Sequence, residues 1–158
     1  MVHSKGRARS HLPTLSLDPF EEFAELWRAL QIESRAPGTL ILVEGERDRR
    51  SLRRLGILGP IALVHQGRSL ARTAQELGRG SNHIILLTDW DVEGGHLAQR
   101  LRPLLEAGSL AVDLETRRRL ARVLRGEVVH VEGLAGWARR NAERRGASID
   151  HFLPSGEG

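Results

Sequence analysis

Ile84-Ile85-Leu86-Leu87-Thr88-Asp89-Trp90-Asp91-Val92-Glu93-Gly94-Gly95 joins an unbroken apolar run to two aspartates one residue apart and a pair of glycines. A short continuous apolar run, rather than an alternating one, suits a strand covered on both faces, as in a parallel sheet. The pattern recurs on either side. Upstream, Leu40-Ile41-Leu42-Val43 ends in Glu44-Gly45, and Ile61-Ala62-Leu63-Val64 leads to Gln66-Gly67-Arg68-Ser69. Downstream, Val128-Val129 with Val131 ends in Glu132-Gly133. Helical stretches separate these runs: 48–55 closing at Gly56, 69–77 closing at Gly78, and 96–106 closing at Gly108. The series predicts an α/β fold of Rossmann-like type, with a mainly parallel four-stranded sheet flanked by helices.

Outside this series the chain is simpler. Residues 1–17 are polar and basic without a period and are expected to form a flexible arm. Asp18-Pro19-Phe20-Glu21 is a helix start, with a capping carboxylate followed by proline at the first helical position. Phe20, Phe23, Trp27 and Leu30 then form an apolar stripe that Pro37-Gly38 terminates, giving an extra N-terminal helix over 18–36. Asp113 opens another amphipathic helix through Leu114, Arg117, Leu120 and Leu124, and a last helix runs over 134–145. The α/β domain thus spans 37–146, and 147–158 is expected to be a flexible tail.

The 158 residues contain no cysteine, which excludes disulfides and thiolate metal sites and leaves oxygen or imidazole ligands. The basic residues are arginine apart from Lys5, with a net charge of +4 and an isoelectric point near 11. Arginine presents a planar fork matched to phosphate oxygens, so an acidic polymer is a reasonable partner, although a solvated surface has the same composition. Apolar runs fall far short of the roughly 20 residues needed to span a bilayer, and the basic start leads into no signal-peptide core. A cytoplasmic protein without membrane association is expected.

In an open parallel sheet, ligands bind beyond the carboxyl ends of the strands. Here those positions hold Glu44, Asp89, Asp91, Glu93 and Glu132. Carboxylates crowded at one edge repel one another unless a cation compensates them. Asp89 and Asp91, two apart in a turn, suit Mg2+, with Mn2+ as the alternative. Gly45, Gly94 and Gly95 would let a phosphate approach the backbone ahead of a helix N-terminus. Arg68 follows the second strand at the same edge and is the arginine best placed to meet phosphate. Asp48 is read as a helix cap, and none of the seven histidines is assigned a role, since none pairs at zinc-like spacing. Arg117-Arg118-Arg119 with Arg122 and Arg125, and Arg139-Arg140 with Arg144-Arg145, form basic helix faces that would either track phosphates or remain solvated.

Leu42-Val43-Glu44-Gly45 with Asp48, followed by Leu87-Thr88-Asp89-Trp90-Asp91 with Gly94, resembles the Toprim family, the domain shared by topoisomerases, bacterial-type primases and several nucleases, one of which matures 5S ribosomal RNA. Leu52-Arg53-Arg54-Leu55-Gly56 adds a resemblance to the small stand-alone Toprim proteins of archaea and some bacteria. The resemblance implies a Toprim fold, Asp89 and Asp91 as magnesium ligands, and Glu44 as a catalytic acid or base or a further metal ligand. Glu93 is a candidate ligand through an Asp-x-Asp-x-Glu-Gly pattern, but Gly95 stands where topoisomerases tend to carry another glutamate.

Other chemistries lack their parts. The chain has no tyrosine for topoisomerase-type strand cleavage, no cysteine-rich module of a primase, and no Gly-x-x-x-x-Gly-Lys phosphate loop. A haloacid-dehalogenase-like phosphatase also uses Asp-x-Asp after a strand, but here Glu93 occupies the position of its usual Thr or Val, and no lysine follows Lys5. The expectation is a magnesium-dependent nuclease or related phosphodiester-processing enzyme acting on RNA, less readily on DNA. Its alternative is a non-catalytic module that binds RNA or serves an RNA-processing or ribosomal complex.

Overall fold

Ile41, Leu42 and Val43 point alternately to two covered faces, and the sheet is assembled around that alternation. A computed structural model of the protein describes residues 18–64 and 67–152. The arm expected over 1–17, together with His65, Gln66 and the stretch 153–158, lies outside the described residues. The elements run α1 (Pro19–Glu33), β1 (Thr39–Val43), α2 (Glu46–Arg54), β2 (Ile61–Leu63), α3 (Leu70–Leu77), β3 (His83–Leu86), α4 (Val92–Ala107), β4 (Ala111–Asp113), α5 (Glu115–Leu124) and α6 (Leu134–Arg144). The strands form one all-parallel sheet in the order β2-β1-β3-β4. This is the Rossmann-like α/β architecture the apolar runs predict.

Strand periodicity divides the core in two. Ile41, Val43, Ile85 and Leu87 face a cluster built by α1, α2, α5 and α6, including Phe23, Trp27, Leu52, Leu120 and Leu134. Leu42, Ile84 and Leu86 face α3 and α4 through Ala74, Leu97, Leu101 and Leu105. The first layer is the aromatic one. Asp18 caps α1 by accepting from Phe20 N at 2.8 Å, Phe23 stacks on Trp27 at 5.1 Å, and Trp137 meets the Phe23 ring edge-on at 5.0 Å. Trp27 Nε1 donates to Leu55 O at 2.7 Å, so its buried polar atom has a partner. Each such ring taken from water contributes about 1.5–3 kcal/mol.

Four local expectations are corrected. The fourth strand is Ala111–Asp113, not the valine run at 128–131. As an edge strand it is only half covered and carries no continuous apolar run, which is why its sequence does not announce it. Val128 and Val131 are buried for another reason: they plug the core beside α5 and α6, and residues 131–133 form a 3-10 turn. Helix α4 begins at Val92 rather than His96, capped by Asp91, and α2 begins at Glu46, with Asp48 in its first turn rather than at the cap position. Finally, residues 147–152 are not a frayed tail. Ile149–Phe152 forms a 3-10 turn that seats Phe152, 2% exposed, against Phe20 and Phe23. Burial of one aromatic ring outweighs the ordering of a short segment.

Truncating that ring tests the correction. Phe152→Ala should lower unfolding stability by about 3 kcal/mol, the usual loss for a buried Phe, measured by denaturant titration. A change within 0.5 kcal/mol, roughly the scale of a surface substitution, would show that the segment does not dock.

Candidate metal centre

β1 and β3 are neighbours in the middle of the sheet, so the residues that follow them come side by side. Leu87 N donates to Leu42 O at 2.9 Å, extending the pairing one step past β3. One turn further, Asp89 N donates to Glu44 Oε2 at 2.8 Å. Asp89 Oδ1 accepts from Val131 N at 2.7 Å. Asp91 Oδ1 accepts from Gly94 N at 2.7 Å, which makes Asp91 the N-cap of α4, and its Oδ2 lies 3.0 Å from His130 Nε2. Each aspartate therefore has one oxygen fixed on a backbone N–H and a second that remains for the cluster.

The turn carrying these groups is held from three sides. A Cβ on Gly94 would stand 1.8 Å from Asp89 O, so only glycine permits α4 to begin so close to the strand end. Thr88 Oγ1, fully buried, donates to Gly94 O at 2.8 Å. Arg117 donates from Nε to Thr88 O at 3.0 Å and from Nη2 to Asp89 O at 2.7 Å. Across the turn, Trp90 N donates to Val129 O at 3.0 Å and Trp90 Nε1 to Val128 O at 2.6 Å. The valine segment, though no strand, is bonded to the Asp89-Trp90-Asp91 turn and delivers His130 to it.

The electrostatics follow from this crowding. Burial pushes the Asp89 carboxyl up to about 7, its hydrogen bond with the Glu44 carboxyl and the charges of Glu44 and Asp48 add to the rise, and the Val131 N–H opposes it. Burial also raises Asp48, whose Oδ2 accepts from Gly45 N at 2.9 Å, and the nearby charges of Glu44 and Glu132 act in the same direction. Burial pulls the Arg117 guanidinium down while Asp91, Glu44 and Asp89 hold it up, so it serves as the internal counter-charge of the acidic group. One arginine faces several carboxylates. A cluster in which an aspartate retains its proton near neutrality is short of positive charge, and a dication relieves that shortage.

Among the described residues, two groups bring donor atoms within 4.8 Å of one another: Asp89, Asp91 and His130, and Glu33, His83 and Asp113. Asp113 in the second group already accepts from Glu115 N, Thr116 N and Thr116 Oγ1 at the start of α5. The first group lies beyond the central strands, on a half-exposed edge, and its two carboxylates and imidazole are a donor set that suits a divalent cation.

The structure thus brings Glu44, Asp89 and Asp91 together. Glu93 is exposed and lines a cleft of about 710 Å³ beside Glu44, with His96 and Arg100. Gly45 is extended, and a Cβ there would meet nothing within 4 Å, so its backbone faces open space. Gly94 is packed from within, against Asp89. Arg68 is ion-paired with Glu76 of α3. The arginine that touches the Asp-x-Asp turn is Arg117. Sequence reasoning did not single out Arg117 from its basic run and assigned nothing to His130. Neither has a local signal, since each reaches the turn across 28 or 39 residues of chain.

The family model of the Toprim domain matches residues 39–115, from the start of β1 to the start of α5. A UPF0292 protein of Methanosarcina barkeri is 40% identical over 98 residues, covering 61% of this chain and 67% of that protein. Another from Methanosarcina acetivorans is 32% identical over 113 residues, covering 72% and 78%, and one from Pyrococcus furiosus is 40% identical over 95 residues, covering 60% and 70%. A solved structure of a protein from Aquifex aeolicus superposes with a TM-score of 0.59 at 27% identity, covering 69% of this chain and 94% of that one. The fold and acidic edge define a Toprim protein, a metal-binding type of module in nucleic-acid processing. More particularly, the chain belongs to the UPF0292 family of small Toprim proteins.

The raised Asp89 carboxyl carries a stability signature. Between its ordinary value of 3.8 and about 7, the folded protein holds a proton that the unfolded chain has released, so metal-free stability falls as pH rises through that window. Asp89→Asn removes the titration. In EDTA, the melting temperature of the Asn variant should gain on wild type between pH 4 and pH 8 by several degrees, since about 1 kcal/mol corresponds to roughly 2–4 °C in a chain of this size. An offset that stays constant across the range would sink this account.

Proposed function

We propose that this protein hydrolyses phosphodiester bonds in nucleic acid, RNA in preference to DNA, using Mg2+ held by Asp89 and Asp91. One observation carries the reading: donor atoms of Asp89, Asp91 and His130 lie within 4.8 Å of one another at the sheet edge, with the Glu44 carboxyl in hydrogen-bond contact with Asp89. Bound there, the cation would supply charge to phosphoryl oxygens as negative charge builds on them. Glu44, whose Oε2 is steadied by Asp89 N, is placed to accept the proton of an attacking water. Arg117 keeps the turn rigid through its two carbonyl contacts. His130, against Asp91 Oδ2, orients that carboxylate.

Hydrolysis is favoured over strand passage because the 158 residues contain no tyrosine to hold a broken strand covalently. RNA is favoured by the likeness of Glu44-Gly45 and Asp89-Trp90-Asp91 to the Toprim nuclease that matures 5S ribosomal RNA. No described helix is long and apolar enough to cross a membrane. A cytoplasmic location is part of the proposal.

The experiment is cleavage of labelled structured RNA and of DNA by purified protein in Mg2+, Mn2+ or EDTA. Metal-dependent cleavage of RNA is expected, lost in Asp89→Asn and Asp91→Asn, and slowed in Glu44→Gln by about 10²–10⁴, the usual contribution of a positioned base. Absence of cleavage with either ion, with RNA binding that survives both Asn variants, would instead establish a non-catalytic RNA-binding module.

A further inference from the structure

The acidic centre opens at His130 onto a groove of the opposite character. A hollow of about 680 Å³ runs from His130 and Glu132 between α2 and α6, with Arg47, Arg50 and Arg54 along one wall and Arg140 on the other. A second hollow of about 310 Å³ continues it, sharing Arg54, Ala135 and Gly136 and adding Arg139. Five arginines therefore line one continuous path that begins at the histidine in contact with Asp91.

Several arginines elsewhere on the surface are neutralised by carboxylates, whereas those of the groove largely are not. Arg49, Arg68, Arg72, Arg102, Arg118, Arg119 and Arg145 each have a carboxylate within 4.0 Å. In the groove, Arg50 has only Glu46 at 3.8 Å, and Arg47, Arg54, Arg139 and Arg140 have no acidic partner among the described residues. Of the two acids lining the first hollow, Glu127 accepts from Trp137 Nε1 at 2.7 Å, and Glu132 lies next to Asp48 at the acidic end. The α5 face, by contrast, is largely neutralised: Arg118 and Arg119 pair with Glu115, and Arg122 shares its cleft with Glu22 and Glu25.

Spacing adds to the charge. Residues 47, 50 and 54 follow the three- and four-residue steps of one helix face and, at about 1.5 Å per residue, place guanidinium groups along roughly 10 Å of groove. Opposite them the wall is low: a Cβ at Gly136 would stand 3.2 Å from Arg140 Nη1, so the glycine lets that guanidinium lie flat against α6. Apart from His130 at its mouth, no aromatic side chain among the described residues lines either hollow. Binding there reads phosphates rather than bases.

We propose that this arginine groove holds the phosphodiester backbone of the nucleic-acid strand whose scissile bond lies at the acidic centre, extending the reading given above to a path for the substrate. The strand enters or leaves past His130 and crosses between α2 and α6. Its recognition is independent of base sequence and strongly salt-dependent.

The test is anisotropy of a fluorescein-labelled single-stranded RNA, with a DNA of the same sequence as the second arm, titrated in EDTA over a range of salt. Arg54→Ala/Arg140→Ala should weaken binding by about tenfold or more at low salt and reduce the slope of log K against log salt by about 1.4, near 0.7 for each phosphate of a single strand that is no longer neutralised. Arg122→Ala, on the α5 face, should bind as wild type does. All three positions are exposed or half-exposed, so unchanged melting temperatures check that the variants are folded. Wild-type affinity and slope in the double variant, equal weakening in Arg122→Ala, or failure of the wild type to bind either polymer would overturn the groove. Binding abolished in the double variant without any metal-dependent cleavage by the wild type upholds the groove while the nuclease reading fails, and cleavage with an unaffected double variant does the reverse.

Discussion

The main chain at Asp89 is where the molecule is most constrained. Its N–H is held by Glu44 from β1, its carbonyl is gripped by Arg117 from α5, and that same carbonyl lies so close to Gly94 that no side chain fits between them. Its carboxylate is anchored on Val131 of the segment before α6. Four parts of the chain converge on one residue. Because β1 and β3 must pair for Glu44 to reach it, and α5 must pack on the sheet for Arg117 to reach it, the site exists only when the domain is assembled.

That convergence also sets the charge balance. Acidic groups at 44, 48, 89, 91 and 132 gather at one edge, and the fold answers them with the half-buried Arg117 guanidinium and several N–H groups. The fixed donors orient the carboxylates but leave a deficit of positive charge, which Asp89 meets by retaining its proton. The same arrangement is one a divalent cation completes. Immediately beyond His130 the sign reverses, and the arginines of α2 and α6 have little carboxylate to answer. The two fields are adjacent and opposite, which is the arrangement a polyanion crossing a cation-binding centre requires.

Packing of the helical layer supports this edge from below. The aromatic group of Phe20, Phe23, Trp27, Trp137 and Phe152 ties the extra N-terminal helix to α6 and to the last described turn. Val128 and Val131, buried in the same layer, fix the height at which His130 meets Asp91. Their apolar character is thus used for positioning rather than for pairing. A valine run seen in isolation does not separate these uses, because burial selects the same residue types in a strand and in a core plug.

Much of the fold could be read from the chain alone. Unbroken runs such as Leu40–Val43 and Ile84–Leu87 specify strands buried on two faces, and the glycine and capping signals between them specify helices, so three of the four strands and the acidic residues that close β1 and β3 were legible through short-range periodicity. The edge strand 111–113 was not, since half-burial demands no apolar run. Nor were Arg117 and His130. An arginine within a basic helix and a histidine before a valine carry no local mark of their destination, and their places at the Asp-x-Asp turn arise from contacts spanning 28 and 39 residues. Local sequence determined which residues end the strands; only tertiary packing decided which side chains meet them, because proximity across that length of chain is set by how helices cover the sheet and by no spacing along it.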